Sequence, residues 1–235
     1  MELPHSASID DSEVSLPLLR LLQLASPALP VGAFAYSRGQ EWAVHAGWLM
    51  EEDQVCSWIL GLLNHSLVLL DIPVLARLYG AWQRKGQCSV EYWSAYLLAS
   101  RESAEFQAEE VQLGRALARL LVGLGLVEAR EWMMHPKVSY AAMFSLASVK
   151  WNISEKHACA GYAWSWIENQ VAAAVKLVPL GQTAGQKILA LAAAEIPGAV
   201  NRALAVCDED IGYLSIGLAC AGALHETQHT RLFRS

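Results

Sequence analysis

The chain has 235 residues, 54% of them hydrophobic and nine of them tryptophan, and its formal net charge is −6. This length allows one large core. The basic residues are few and scattered, which excludes a nucleic-acid-binding protein. The longest uncharged runs are shorter than the ~20 apolar residues that a membrane span needs. The five cysteines occur singly and include no C-x-x-C pair, which fits a reducing cytoplasm rather than a disulfide framework.

The first residues lack the basic and apolar regions of a secretory signal, and residues 1–15 are predicted to form a disordered leader. The segment Leu29–Phe34 then reads as a rigid turn, because it contains proline and glycine in an otherwise apolar run. This turn presents Phe34 and Tyr36 ahead of a helix that contains Glu41 and Trp42. The aromatic side chains either form a docking surface or pack into the core, and the sequence favours neither.

Two successive helices are predicted next. The first begins at the acidic group that starts at Glu51 and runs to about Leu70. Asp71 is then expected to cap a second helix with Pro73 in its first turn. The second helix is expected to run to about Arg84 and to end at the following Lys-Gly pair.

A long helix is predicted within Arg101–Leu124, because apolar residues recur there at spacings of seven, four and three. Glu102, Glu105 and Glu109 lie on another face of it. We interpret these carboxylates as a solvated face that a basic partner could cover, in preference to a pair for acid–base catalysis.

Further helices are predicted to begin near Ser89, Val138, Ser154, Ile196 and Asp208. Pro179 is expected to end the helix that starts at Ser154. In the last helix the small residues Gly212, Ser215, Ala219 and Gly222 share a face, which we expect to pack internally rather than in a dimer.

Since alternating strand patterns and hairpin dipeptides are nearly absent, the fold is predicted to be all-α. We expect a single globular domain in residues 16–235, a helical bundle of roughly ten helices.

The five residues His225–His229 match the zinc-binding pattern H-E-x-x-H. On a helix, His225 and His229 would lie one turn apart, with Glu226 as a general base, and a zinc-dependent hydrolase is therefore the alternative function. A third metal ligand is missing downstream, because only six residues follow His229, and the one upstream alternative that stays open is Cys220, a turn or more before His225. We therefore predict no metal site.

Other catalytic patterns are absent from the sequence. The glycines of Gly181–Lys187 lack P-loop spacing, and no G-x-S-x-G motif occurs. Lys176 lies in an apolar run and is expected to extend to water or to reach a carboxylate of a partner. An apolar ligand in a tryptophan-rich bundle is a third hypothesis, but aromatic residues are ordinary core material. The prediction is a protein that is not an enzyme and needs no cofactor.

Three stretches in this order resemble the urease accessory protein UreF: SPALPVGAF at 26–34, WSWIENQVAAAVKLVPLGQT at 164–183, and HETQ-TRLFRS in 225–235. The resemblance extends over nearly the whole chain after the leader. The family commonly has Ser at Ala35, Leu at Gln40 and Tyr at His229, and the last departure weakens the zinc-hydrolase alternative.

The resemblance implies a cytoplasmic, all-helical homodimer that docks on UreD (UreH in some bacteria) and recruits the GTPase UreG. The assembly would place nickel into apo-urease, with GTP hydrolysis coupled to delivery. The resemblance further implies that the C-terminal tail orders when a partner binds. It points to partner-binding residues in three motifs: Tyr36, Ser37, Glu41, Lys176, Thr230, Arg231 and Arg234.

Overall fold

The computed structural model describes residues 15–235, and the regular elements in this range are all helical. The predicted all-α fold is confirmed, and the described helices form a single compact domain. The predicted leader lies outside the described residues except for Ser15, which caps the first helix. The α-helices are α1 (Leu16–Ala25), α2 (Gln40–His45), α3 (Glu52–Leu62), α4 (Ile72–Gln83), α5 (Gln87–Ala99), α6 (Ala104–Gly123), α7 (Tyr140–Lys150), α8 (Glu155–Leu177), α9 (Gln182–Leu204) and α10 (Ile216–His225).

Helices α3 and α4 are joined by a π-helical segment, Leu63–Asp71, rather than by a break. The prediction that Asp71 caps a new helix is therefore wrong: its backbone is helical and its side chain makes no cap. Pro73 is tolerated because the carbonyl of Leu69, which loses its helical donor at Pro73, accepts a hydrogen bond from the N–H of Gly212 at 2.9 Å. The carboxylate of Asp71 instead accepts a hydrogen bond from Arg101 at 2.6 Å.

The continuous segment Glu52–Gln83 is apolar and long enough, by composition, to cross a membrane. However, 72% of its most apolar window is buried within the domain. Its leucines and valines contact α7, α8 and α9, so packing in the core accounts for its apolar character.

Helix α7 lies at the centre of the domain, and every residue of 141–148 is buried. The run is rich in alanine and serine, whose small side chains let α4 and α6 approach closely. The closest approach is at Gly114 of α6, where an added Cβ would lie 2.7 Å from the carbonyl carbon of Ser139. This central position places the start of α7 directly beside the polar side chains of α6.

Two predictions for the second half of the chain are wrong. Helix α9 passes through Pro197 without a break. Proline has no N–H group, so the carbonyl of Ala193, four residues before Pro197, has no helical donor. Both residues are exposed, and water can therefore bind that carbonyl. The last helix begins at Ile216, not Asp208, because Gly212 has a φ of 147° and donates its N–H to the carbonyl of Leu69.

The small-residue face of α10 packs internally at Gly222, as predicted. A Cβ at Gly222 would lie 2.7 Å from the ring of Phe106 on α6. Gly39, just before α2, has a φ of 74°, and a Cβ there would lie 3.0 Å from the Cβ of Ala221. Helices α2, α6 and α10 therefore meet at one place, and the chain that follows α10 leaves from it.

Candidate functional site

The candidate site is the place where residues 226–235, here called the tail segment, lie against α2, α6 and the turn before α2. The tail segment contains no regular helix, and it follows the end of α10 at His225. Carboxylates from α2 and α6 hold it through hydrogen bonds to its backbone and side chains. Residues from the three predicted motifs meet here although they are far apart in sequence.

The carboxylate of Glu41 binds the tail segment most directly. It accepts hydrogen bonds from the backbone N–H of Leu232 at 2.6 Å and of Phe233 at 2.9 Å. The ring Nε2 of His225 lies 3.3 Å from the same carboxylate. Glu41 is buried, so these bonds form in a region of low dielectric constant, where a charged acceptor is effective.

A second carboxylate, Glu105 on α6, fixes the turn that links α10 to the tail segment. One oxygen lies 2.7 Å from the Nδ1 of His225, and the other accepts a hydrogen bond from Arg231. Arg231 also donates to the carbonyls of Gln228, at 2.7 Å, and Glu226. The guanidinium of Arg231 thus closes the turn and pairs with α6 at the same time.

The last residue is held from both sides. The backbone N–H of Ser37 donates to the carbonyl of Ser235 at 2.8 Å, and the hydroxyl of Ser37 donates to the same carbonyl. The hydroxyl of Ser235 donates to Glu109 at 2.8 Å. The N–H of Arg234 donates to the carbonyl of Ala35 at 2.8 Å. Ser37 and Ser235 are both fully buried, so this end of the tail segment is part of the protein interior.

Phe233 anchors the tail segment through its side chain. The ring is buried, and the ammonium of Lys176 on α8 lies 5.7 Å from its centre. This geometry is that of a cation–π interaction. Lys176 is exposed, as expected for a lysine that extends to water, and its contact in the structure is with the ring.

Buried ion pairs connect the tail segment to the core. Glu109 pairs with Arg38 at 2.8 Å, and Arg38 also contacts Glu110 at 3.4 Å. Arg101 links Glu110, at 2.7 Å, to Asp71 at 2.6 Å. Burial alone would lower the pKa of Arg38, but the charges of Glu109, Glu110 and Asp71 together raise it. The guanidinium therefore stays charged.

Glu110 also caps the central helix. Its carboxylate accepts hydrogen bonds from the N–H groups of Tyr140, at 2.9 Å, and Ala141, at 3.3 Å. These are free donors of the first turn of α7, where the helix dipole favours negative charge. This cap explains how three buried carboxylates coexist with only two guanidinium groups in the network.

Tyr36 lies between the tail segment and α6. Its hydroxyl donates to the side chain of Gln112 at 2.6 Å, and its carbonyl accepts from Asn169 on α8 at 3.1 Å. Burial raises the pKa of Tyr36, so the phenol remains a protonated donor at neutral pH. Behind the turn, a cavity of about 110 Å³ is lined mainly by apolar side chains of α1, α6 and α8, together with Arg38 and Glu109.

Comparison with known proteins decides the family. The UreF family model matches residues 49–193. The UreF of Alkalilimnicola ehrlichii is 49% identical over 216 residues, which cover 92% of this chain and 95% of that protein. The chain belongs to the UreF family. The UreF of Teredinibacter turnerae is 47% identical, over 93% of this chain and 98% of that protein. The UreF of Pseudomonas putida strain KT2440 is 46% identical, over 94% of this chain and 98% of that protein. The members carry the name urease accessory protein.

UreF membership makes the chain a non-catalytic accessory protein, and the structure explains why the H-E-x-x-H pattern misleads. Helix α10 ends at His225, so His229 lies in a bend and not one helical turn away. Both ring nitrogens of His225 already face carboxylates, those of Glu41 and Glu105. In residues 15–235 no group of three or more His, Cys, Asp or Glu side chains has the arrangement of a metal site.

The predicted contact residues of this UreF protein fall into two groups. Thr230, Arg231, Arg234 and Lys176 are exposed, whereas Tyr36, Ser37 and Glu41 are buried beneath or beside the tail segment. The exposed group remains a prediction of partner-binding residues. The buried group can act on a partner only by holding the exposed residues in place.

The sequence interpretation missed the carboxylates on α6 that hold the tail segment. Glu105 and Glu109 were predicted to form a solvated face, but Glu109 is buried in ion pairs, and Glu105 binds His225 and Arg231. Glu102 is half-buried, and burial raises its pKa. The sequence around these glutamates does not indicate that they are buried, because the residues that bind them lie about 70 to 126 positions away in the chain.

Proposed function

We propose that this UreF protein bridges UreD (or UreH) and the GTPase UreG during urease maturation, and that it modulates the GTP-dependent insertion of nickel into apo-urease. The proposal includes a cytoplasmic location and a homodimer. Membership of the UreF family supports the role in maturation, since its members are named urease accessory proteins. Nickel is cargo in this proposal and is not assigned to any ligand in the chain.

The observation that carries the bridging role is the tail segment. Glu41, Ser37 and Ala35 bind its backbone, and the side chains of Arg234 and Thr230 are exposed. Arg231 is also exposed, with its guanidinium held by Glu105. A rigid display of arginine beside a buried aromatic anchor is suited to protein recognition, because little conformational freedom is lost on binding. The absence of a P-loop from the sequence agrees with a partner that supplies nucleotide hydrolysis.

The test uses cells that carry the cognate urease genes but lack this gene. Urease activity and the nickel content of purified urease are measured with and without the gene restored. Recovery of both supports the proposal, and undiminished activity in the deletion strain contradicts it. Co-purification of tagged protein with UreD and UreG, at a mass that reports two copies of the chain, tests the bridge and the dimer.

A further inference from the structure

A cleft of about 420 Å³ lies on the outer side of the turn before α2 and contains three arginines. Arg115 and Arg119 come from α6, and Arg234 comes from the tail segment. Phe34 and Tyr36 line its other side, and its lining includes no acidic side chain. We call this surface the arginine cleft.

None of the three arginines forms an ion pair with any carboxylate of residues 15–235. Other exposed cations such as Arg130 are also unpaired within these residues, so the cleft is distinguished by the grouping of three arginines with no carboxylate in its lining. Elsewhere on the same helix the carboxylates Glu105, Glu109 and Glu110 are paired with cations. The positive charge of the cleft is therefore left without a counterion from the described part of the chain.

The position of the arginines on α6 has an energetic cost. Arg115 and Arg119 are four residues apart and lie on one face of α6, where like charges repel and weaken the helix. The helix dipole favours cations only near the last turn, which ends at Gly123, and does not account for Arg115. The Nε of Arg115 is also buried and has no acceptor among the described residues.

Phe34 adds an apolar contact beside this charge. Its side chain is 68% exposed, at the edge of the cleft. Arginine and aromatic side chains are enriched among the residues that dominate binding energy at protein interfaces. A guanidinium fork also fits a carboxylate in two-point geometry, which a point charge does not.

We propose that the arginine cleft binds an acidic segment of a protein partner, with Asp or Glu carboxylates on the guanidinium groups and an apolar side chain on Phe34. This inference rests on the proposed function, because the partner is one of the proteins of the maturation complex. It assigns binding roles to Arg115 and Arg119, which lie outside the motifs that carry the family resemblance, and to Phe34, the last residue of the first motif. It also gives the docked tail segment a purpose, since Arg234 completes the cleft only when the tail segment is in place.

The test compares Arg119→Glu with Arg130→Glu in the full chain. Arg119 and Arg130 are both exposed and neither is ion-paired within residues 15–235, so the second variant controls for the change in net charge. Each tagged protein is used to capture UreD and UreG, and each gene is used to restore urease activity in the deletion strain. We expect Arg119→Glu to lower the capture of one partner about tenfold, because a like charge now faces the acidic segment, while Arg130→Glu matches the wild type. Unchanged thermal unfolding of both variants confirms that the fold is intact.

Salt dependence provides a second readout. Capture by the wild type should fall between about 0.05 M and about 0.5 M salt, and Arg119→Gln should show a shallower fall, because exposed charge pairs are screened. Equal capture and equal urease activity for Arg119→Glu and Arg130→Glu would overturn the inference and leave the proposed function standing. A deletion strain with normal urease activity would instead overturn the proposed function. A third outcome is that the wild type binds inorganic pyrophosphate tightly, that Arg119→Glu abolishes this binding, and that partner capture is unchanged. This outcome would identify a phosphate site and overturn the acidic-segment assignment.

Discussion

Replacing Glu41 with glutamine should release the tail segment while leaving the helical domain folded. The carboxylate accepts two backbone hydrogen bonds, from Leu232 at 2.6 Å and Phe233 at 2.9 Å. A hydrogen bond to a charged group contributes about 1.5–3 kcal/mol, and a neutral one contributes about 1 kcal/mol. Glutamine offers one oxygen for these two donors, and its NH₂ group would face the other N–H. We therefore expect docking of the tail segment to weaken by about 3 kcal/mol, a shift of about 140-fold in the docked-to-undocked ratio.

Hydrogen exchange of the tail amides is the direct assay, supported by the rate of trypsin cleavage after Arg231. The amides of Phe233 and Arg234 should lose protection in Glu41→Gln, whereas those of α7 should keep it, because local opening does not require global unfolding. Glu195→Gln, an exposed change on α9, is the matched control and should leave both regions unchanged. The reasoning is refuted if the tail amides keep their wild-type protection, or if protection falls equally in α7.

Three further outcomes are expected. Glu110→Ala should lower the free energy of unfolding by about 3–5 kcal/mol in urea titrations, because it removes the carboxylate that Arg38 and Arg101 share and leaves each buried guanidinium with a single carboxylate. Gly222→Ala should cost about 1–3 kcal/mol in the same assay, because the new Cβ would overlap the ring of Phe106. Cys159 should resist thiol reagents at pH 8 until the protein unfolds, since burial raises its pKa to about 12 and the reactive thiolate is scarce below that pH.

Each of these has a control within the chain. Gly123→Ala on α6 places a Cβ with no atom within 4 Å, so it should not destabilise the protein. The exposed Cys88 and Cys207 should react with the same reagent in the folded state. A Glu110→Ala variant as stable as the wild type would mean that the buried ion pairs are energetically neutral. Equal effects of Gly222→Ala and Gly123→Ala would contradict the close packing of α10 on α6, and reaction of Cys159 at the rate of Cys88 would contradict its burial.

Local signals in the sequence were sufficient for most of the helices. Ser154 begins α8 and accepts a hydrogen bond from the N–H of His157, and α8 ends at Leu177, two residues before Pro179. The helix predicted within 101–124 is α6, capped by Ser103. These features are decided by side chains within a few residues of each helix end, which is why pattern and capping rules predict them.

The errors arise where tertiary contacts override a local rule. Asp71 followed closely by Pro73 predicts a helix boundary, but the structure has a π-helical segment there that continues into α4. Pro197 predicts a helix start, but packing of Ile196 and Val200 on neighbouring helices holds α9 together through it. The candidate site shows the same limit: Glu41 was found through its motif, whereas Glu105 and Glu109 bind the tail segment from a helix whose pattern gave no reason to expect it.

The ion pairs beneath the tail segment are better explained by positioning than by stability. Replacing a buried ion pair with apolar residues often leaves stability unchanged or raises it. The network of contacts therefore contributes little to the stability of the fold by itself; it runs from Ser235 through Glu109, Arg38 and Glu110 to Arg101. An apolar core, however, offers no directed acceptor for the hydroxyl of Ser235. Glu109 is such an acceptor because its ion pair with Arg38, at 2.8 Å, holds its carboxylate in place. The network therefore fixes where the tail segment ends, and with it the position of Arg234 in the arginine cleft.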